Sequence, residues 1–180
     1  MTTSTTSSTT PIVLLDVDGV LNAICDPLSP PDTWSDYKSG AATAGHVTWP
    51  ITFSPTVVRT LQDLHETRKV EIRWLTTWAH EANGPLRDLL GFPNPFEVVG
   101  APGYLKGRSS SWWKLPLAQK VYETTLRPLV WIDDDLSRVP EATYWVDTLN
   151  ADRTLALSPQ THIGITPEDL ECINDFVNTL

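Results

Sequence analysis

Acidic and hydroxyl side chains stand where three apolar segments of this 180-residue sequence end. IVLL is followed by Asp16 and Asp18, VEIRWL by Thr76 and Thr77, and LVWI by Asp133, Asp134 and Asp135. These segments are rich in Val, Ile and Leu, which is typical of strands buried on both faces of a sheet. Ligands of an open parallel sheet bind at the carboxyl ends of its strands. The spacing therefore predicts that these side chains converge on one cleft.

Several carboxylates in one cleft require a counter-charge. If Asp16, Asp18, Asp133 and Asp134 all stay ionised in a poorly solvated site, they repel one another. An all-oxygen ligand set without His or Cys selects a hard cation, and room for water and phosphate oxygens suits Mg²⁺ better than Ca²⁺. A calcium loop would need Gly at its sixth position, where this sequence has Leu21. We therefore expect a Mg²⁺ site at the four carboxylates.

Five short strands alternate with helices in the predicted chain. The strands are expected at residues 12–17, 70–76, 96–99, 129–132 and 153–157. The helices are expected at 55–69, at 77–90 with a kink or break at Gly84 and Pro85, after a cap at Ser111, at about 139–149, and after a cap at Thr166. Parallel strands need crossover connections, and helical crossovers cover both faces of the sheet. The predicted fold class is α/β, with a three-layer Rossmann-like core around a five-stranded parallel sheet.

Two segments fall outside this alternation of strands and helices. Residues 1–10 are a Met followed by Ser and Thr, which bury too little apolar surface to fold, so a disordered tail is expected. Residues 22–53 are rich in proline and small residues and have no helical period, which predicts a short irregular insertion with a hairpin around HVTWPITF. Residues 11–180 are expected to form a single domain that carries this insertion after its first strand.

Four motifs, in order, resemble those of the haloacid-dehalogenase-like (HAD) hydrolase superfamily. LLDVDGVLN at 14–22 resembles motif one, RWLTTW at 73–78 motif two, WKLPLA at 113–118 the lysine motif, and VWIDDDL at 130–136 the acidic fourth motif. DxDG alone is a weak signal, whereas four motifs in this order are specific. The insertion is too short for a large cap domain, so the resemblance implies a small-cap or capless phosphatase with an open cleft.

The resemblance implies a role for each matching residue. Asp16 is then the nucleophile that becomes an aspartyl phosphate, and Asp18 is the general acid and base. Thr76 donates its hydroxyl to a phosphoryl oxygen, and Lys114 holds the nucleophile and neutralises charge in the transition state. A second Asp in motif one goes with phosphoryl transfer rather than dehalogenation in this family.

The resemblance also implies how the metal and the reaction are arranged. Mg²⁺ would bind the Asp16 carboxylate, the Asp18 backbone carbonyl and Asp133 or Asp134. The implied enzyme is a Mg²⁺-dependent phosphatase that hydrolyses phosphomonoesters through an aspartyl phosphate on Asp16. Two alternatives stay open: a phosphotransferase, and a catalytically silent HAD-like module that binds phosphate or a partner.

Three assignments remain open in the sequence. Thr77 is adjacent to Thr76 and equally able to donate its hydroxyl. Lys106, in a Gly-rich loop, competes with Lys114 for the lysine role. One of Asp133–Asp135 is expected to cap the next helix, where the helix dipole favours an acid, which leaves two for the metal.

The net charge and the cysteine content limit which partners and which cellular compartment we expect. The 13 Lys and Arg against 22 Asp and Glu give a net charge of −9, the wrong sign for coating a nucleic-acid backbone. A modest basic cluster of Lys106, Arg108 and Lys114 keeps nucleotide or nucleic-acid phosphate ends possible beside phosphorylated small molecules. Cys25 and Cys172 form neither a metal pair nor a disulfide framework, and no segment is predicted to span a membrane. We expect a cytoplasmic protein without an obligate protein partner.

Overall fold

The computed structural model describes residues 10–67, 69–103 and 112–180. The strands are β1 (Ile12–Leu15), β2 (Lys38–Ala44), β3 (Val47–Phe53), β4 (Glu71–Trp74), β5 (Glu97–Val98), β6 (Leu129–Ile132) and β7 (Thr154–Leu157). The α-helices are α1 (Pro55–Glu66), α2 (Pro85–Leu90), α3 (Lys114–Thr125), α4 (Pro140–Asp147) and α5 (Pro167–Thr179). Short 3₁₀ helices lie at Ala79–Asn83 and Leu136–Arg138. No helix in the described ranges is both long and apolar enough to cross a bilayer.

The central sheet has five parallel strands in the order β5-β4-β1-β6-β7, which confirms the predicted α/β fold. Leu15, the last residue of β1, pairs with Trp74 on one side and Ile132 on the other. All three strands therefore end at one level of the sheet. This register brings the residues that follow β1, β4 and β6 to the same edge, as the sequence predicts.

Successive residues of a strand point to opposite faces of the sheet. Because both faces of this sheet carry apolar side chains, helices cover both. Val13 and Leu15 of β1 belong to a core that they share with α1, α2, α5 and the β2–β3 hairpin. Ile12 and Leu14 belong to a second core, formed with α3 and α4. All four residues are almost completely buried, so β1 is the centre of a three-layer structure.

Some predicted boundaries differ from those in the structure. The predicted break at Gly84 and Pro85 is confirmed, because Pro85 starts a new helix, but the first part of the 77–90 segment is a 3₁₀ helix that begins at Ala79. The proposed cap Ser111 lies outside the described residues, and α3 begins further on, at Lys114, after Trp113. Residues 1–9 of the predicted tail also lie outside the described residues. The last helix has its predicted cap, because the Thr166 hydroxyl accepts from the Asp169 amide in a capping box.

The antiparallel β2–β3 hairpin lies within the predicted insertion at 22–53. It packs against the domain through Ala42, Ile51 and Phe53, each at most 5% exposed. Leu89 of α2 lies against Gly40 so closely that a Cβ there would come within 2.6 Å of its Cδ1. The hairpin is therefore packed against both the core and α2.

Asp36 caps α1 from the loop before the hairpin, and its removal is expected to destabilise the fold. Its carboxylate accepts from the Ser54 hydroxyl at 2.6 Å and from the Thr56 amide and hydroxyl at 2.9 and 2.7 Å. Burial opposes the charge of Asp36, but these hydrogen bonds outweigh it and lower its pKa. We expect Asp36→Ala to lower the free energy of unfolding by about 1–2 kcal/mol at pH 7, measured by urea denaturation.

The pKa of Asp36 sets the pH dependence of this loss. A carboxylate whose pKa is lowered by folding stabilises the protein above its unfolded pKa, and that contribution disappears as the pH falls through the folded pKa. The difference between the Asp36→Ala variant and the wild type should therefore shrink below about pH 4. Asp32 is an exposed acid in the same loop, and Asp32→Ala should change stability by less than about 0.5 kcal/mol. Equal losses in the two variants would contradict the capping role.

Candidate active site

Asp16 is the first residue after β1, and it lies inside the protein. Its amide donates to Ile132 O at 3.1 Å, which continues the sheet pairing by one residue. Its side chain is 7% exposed, and its Oδ1 accepts from the Val17 amide at 2.7 Å. The chain then turns at Gly19, whose φ of +76° is a conformation that favours glycine. Asp16 is thus fixed at the carboxyl end of the central strand.

Lys114, the first residue of α3, contacts Asp16. Its ammonium Nζ donates to Asp16 Oδ2 at 2.5 Å and to Asp133 Oδ2 at 2.6 Å, and its side chain is 4% exposed. A lysine in the first turn of a helix is unfavourable for the helix dipole, so helix stability does not explain this position. The stacking of Trp112 on Trp131, with ring centroids 5.3 Å apart, fixes the chain directly before α3.

Asp133 and Asp134 follow β6 and complete a cluster of buried carboxylates. One oxygen each from Asp16, Asp133 and Asp134 can lie within 4.8 Å of the others. Asp133 Oδ1 accepts from the Asp135 amide at 3.1 Å, and Asp134 Oδ2 accepts from the Thr161 hydroxyl at 2.6 Å. Two of the three candidate acids after β6 therefore face the cleft.

The third acid after β6 faces away from the cleft. Asp135 directly precedes the short 3₁₀ helix, but its side chain makes no capping hydrogen bond. Its side chain is 51% exposed and pairs with Arg138 at 3.2 Å. The expectation that one of the three acids caps the next helix is therefore only partly met, because Asp135 has the position of a cap without the bond.

Burial controls the protonation of the cluster. It raises the pKa of Asp16 above its ordinary value, although Lys114, the Val17 amide and the Thr76 hydroxyl oppose the rise. Burial and the neighbouring Asp16 charge raise the pKa of Asp133 to about 7. Burial opposes the charge of Lys114, but the two carboxylates that it contacts outweigh this effect and raise its pKa. Lys114 therefore stays positively charged, and its two carboxylate partners share this single positive charge.

The donor set fits a hard divalent cation. Asp16, Asp133 and Asp134 would carry three negative charges, against one positive charge on Lys114. The remaining net charge of minus two would be neutralised by one Mg²⁺. All the available ligand atoms are oxygens, which Mg²⁺ prefers. HAD domains typically use Mg²⁺, and this buried cluster has the charge and chemistry to hold it.

The carboxylate of Asp18 belongs to a different contact network. Asp18 Oδ1 accepts from Asn22 Nδ2 at 2.8 Å, and Oδ2 accepts from the Trp78 indole N–H at 2.9 Å. Asn22 is 2% exposed, and its Oδ1 accepts from the Thr52 amide of the hairpin at 2.8 Å. Asp18 is thus tied both to the motif-two segment and to β3. Its side chain is separate from the three-carboxylate cluster.

The two threonines after β4 lie in different environments. Thr76 is fully buried beside Asp16, and its Oγ1 accepts from the Trp78 amide at 3.3 Å. Thr77 is exposed and lines a cavity with Asp18. The structure thus brings Thr76 to the nucleophile candidate, whereas Lys106 and Arg108, the other candidates for a basic group, lie outside the described residues.

Sequence reasoning missed three residues that hold the site together. Asn22 stands four positions after Asp18 within the quoted motif, so its place in the turn was a usable signal. Trp78 directly follows the two threonines of motif two, but nothing in the sequence indicates that its N–H pairs with Asp18. Thr161 lies far along the chain from Asp134, and only the tertiary fold brings its hydroxyl there.

The fold and the site together define a HAD-type hydrolase core: a parallel sheet, an Asp-x-Asp after its central strand, and a buried lysine that bridges two carboxylates. The sequence of residues 12–170 matches the family described as HAD domain in Swiss Army Knife RNA repair proteins. This chain belongs to that family, which confirms the resemblance and extends it beyond the fourth motif. Neither the curated proteins nor the solved structures include a match. Membership supports a phosphatase-like or phosphotransferase-like function.

Gly19 allows Asp134 to approach the turn after β1, and its substitution is expected to weaken metal binding. A Cβ at Gly19 would come within 2.3 Å of Asp134 Cγ, so the carboxylate would have to move. We expect Gly19→Ala to lower the affinity for Mg²⁺ about 10-fold to 100-fold, measured by calorimetry. The positive φ adds a stability cost of about 1–2 kcal/mol.

Gly91 offers a matched control for this substitution. Its φ is +91°, and a Cβ there would meet no atom within 4 Å. Gly91→Ala therefore imposes the backbone strain without displacing Asp134, and it should leave the affinity for Mg²⁺ unchanged. An equal loss of affinity in both variants would show that backbone strain alone is responsible and would contradict the role of the close approach.

Proposed function

We propose that this protein is a Mg²⁺-dependent phosphatase that hydrolyses phosphomonoesters through an aspartyl phosphate on Asp16. The main support is the buried bridge from Lys114 to Asp16 and Asp133 at the carboxyl end of the sheet. Burying a lysine between two carboxylates carries a large desolvation cost, so net stability is a weak explanation for this bridge and a chemical role is the better one. Phosphoryl transfer provides that chemistry, since it depends on positioned charge around the transferred group.

In the first step, a carboxylate oxygen of Asp16 attacks phosphorus, and the bond from phosphorus to the leaving oxygen breaks. Asp18 gives its proton to that leaving oxygen, so the alcohol departs neutral. Thr76 is suited to donate a hydrogen bond to a phosphoryl oxygen. Lys114 orients Asp16 and offsets the negative charge of the transition state.

In the second step, water attacks the phosphorus of the aspartyl phosphate, and Asp18 accepts a proton from that water. The bond between phosphorus and the Asp16 oxygen breaks, which releases inorganic phosphate and restores the carboxylate. Asp16, Asp133 and Asp134 would hold the Mg²⁺, with the Asp18 backbone carbonyl as a further ligand. When bound, the ion supplies charge neutralisation of the phosphoryl oxygens.

For the substrate we propose a phosphate at the end of a nucleotide or nucleic acid. The family description names RNA repair proteins, which supports this class. The net charge of −9 disfavours a long contact with a nucleic-acid backbone and favours recognition of the terminus alone. Phosphorylated small molecules are the competing class, and a substrate panel separates the two.

The test is phosphate release by the purified protein from p-nitrophenyl phosphate, phosphorylated metabolites and oligonucleotides with a 3′ or 5′ phosphate. We expect hydrolysis with Mg²⁺ and none with EDTA, and faster hydrolysis of the oligonucleotide ends than of metabolites. No metal-dependent release from any substrate would refute the proposed activity. Transfer of phosphate to an added alcohol in place of water would identify a phosphotransferase.

Trp78 is expected to position Asp18 for proton donation. Trp78→Phe keeps an aromatic ring but removes the N–H that donates to Asp18 at 2.9 Å. We expect kcat/KM for an alkyl phosphate to fall about tenfold, because kcat/KM reports the first step, in which the leaving oxygen needs a proton. The kcat/KM for p-nitrophenyl phosphate should change by less than about twofold, because nitrophenolate leaves without a proton. An equal decrease of kcat/KM for both substrates would contradict a role of Trp78 in proton donation.

A further inference from the structure

A cavity of about 270 Å³ adjoins the proposed acid and base. It is lined by Asp18, Ala44, Trp49, Thr77 and Trp78, so the hairpin forms one wall and the motif-two segment another. Pockets for drug-sized ligands are about 300–1,000 Å³, so this cavity fits part of a ligand, such as one ring system. The described lining has no Lys or Arg, and it therefore offers no cation for backbone phosphates.

Trp49 lies on the inner face of the hairpin, yet it is half exposed. In β3 it shares a face with Ile51 and Phe53, because strand residues two apart point the same way. Those two residues are buried against the core, whereas Trp49 is 50% exposed. Its cross-strand partner is Ala42, a small residue that leaves the indole room. The indole therefore borders the cavity where the core ends.

The position of Asp18 indicates where the leaving group of a substrate would lie. To protonate the leaving oxygen, Asp18 must contact it, so the atoms bonded to that oxygen lie next to Asp18. Asp18 and Trp49 both line the cavity, so a group bonded to the leaving oxygen has space beside Trp49. The Trp78 N–H is already donated to Asp18, so Trp78 offers ring atoms to an occupant.

We propose that Trp49 is the stacking platform for the base of the terminal nucleotide, and that the cavity is the leaving-group subsite. This inference rests on the proposed phosphatase function and adds a specificity-determining residue to it. An aromatic side chain stacks on any base, because every base has a π-face. The site would thus recognise the terminal base by its ring, with weak dependence on sequence and on salt.

The test compares two substrates: a short oligonucleotide with a terminal phosphate, and the same oligonucleotide without its terminal base. Both 3′ and 5′ phosphates are assayed, and kcat/KM is measured for the wild type, Trp49→Ala and Trp49→Phe. We expect the wild type to prefer the base-bearing end about tenfold, within the range that base stacking provides. Trp49→Ala should abolish the preference and leave the abasic substrate within twofold, whereas Trp49→Phe should retain most of it.

Tyr144 gives a matched control, because it is an aromatic residue of α4 that is 74% exposed and does not line the cavity. Tyr144→Ala should keep the wild-type preference. The inference is overturned if the wild type shows no preference for the base, or if Trp49→Ala slows both substrates equally.

An affinity measurement distinguishes failure of the stacking inference from failure of the proposed phosphatase function. If the wild type releases no phosphate from any substrate, the phosphatase proposal fails, and binding decides the stacking role. The two oligonucleotides are then titrated into Asp16→Asn and into Asp16→Asn with Trp49→Ala. A tenfold weaker binding of the base-bearing end in the double variant supports stacking, and equal affinities overturn it.

Discussion

We expect Asp16→Asn to lower kcat for phosphate release by at least about 10³-fold, since loss of a nucleophile commonly has effects of this size or larger. Asn has nearly the same shape, and its oxygen can still accept from Lys114, so the fold should be retained. The wild type should form a phosphoenzyme from a radiolabelled substrate after acid quench, and Asp16→Asn should form none. Phosphate release is measured with Mg²⁺ at saturating substrate.

Asp135→Asn provides the matched control for this substitution. Asp135 directly follows Asp133 and Asp134 in the sequence, but its side chain is half exposed and pairs with Arg138. Its carboxylate makes no contact with Asp16 or Lys114 among the described hydrogen bonds, so kcat should stay within about twofold of the wild type. If Asp16→Asn retains activity, or if labelled phosphoenzyme persists in it, the nucleophile lies elsewhere.

The second large effect is expected from Lys114→Met. Removal of the ammonium leaves Asp16 and Asp133 buried without their shared partner, and breaking a buried ion pair in this way costs about 3–5 kcal/mol. Unfolding by urea without metal should report this loss, and phosphatase activity should disappear. Lys120→Met, on the exposed side of the same helix, should change stability by less than about 0.5 kcal/mol.

The loss of stability in Lys114→Met should depend on pH. Burial raises the pKa of Asp16 and raises that of Asp133 to about 7. A carboxyl group whose pKa is raised by folding stabilises the protein at low pH and loses this contribution as the pH rises through the folded pKa. Without Lys114 the two pKa values should rise further, so the deficit should be largest above pH 7 and smaller at pH 5. A deficit that is independent of pH would show that the carboxylates do not carry the cost.

The strands and most of the site were predictable because their signals are local. Buried parallel strands need continuous apolar residues, and IVLL and LVWI provide them directly before Asp16 and Asp133. The last helix was predictable because its capping box is a short pattern of neighbouring residues. Where the prediction was imprecise, as at the start of α3, no local cap exists: Trp113 makes no side-chain capping bond, and packing of the aromatic rings determines the position.

Local sequence patterns predict the class of fold, the order of the motifs and the edge of the sheet where acids and hydroxyls gather. They do not predict which acids turn inward, which threonine contacts Asp16, or how Lys114 contacts acids that follow two different strands. The position of Trp49 at the cavity beside Asp18 likewise follows from the folded hairpin. Periodicity and capping act between neighbouring residues, whereas burial and ion pairing depend on side chains that come together only in the folded chain.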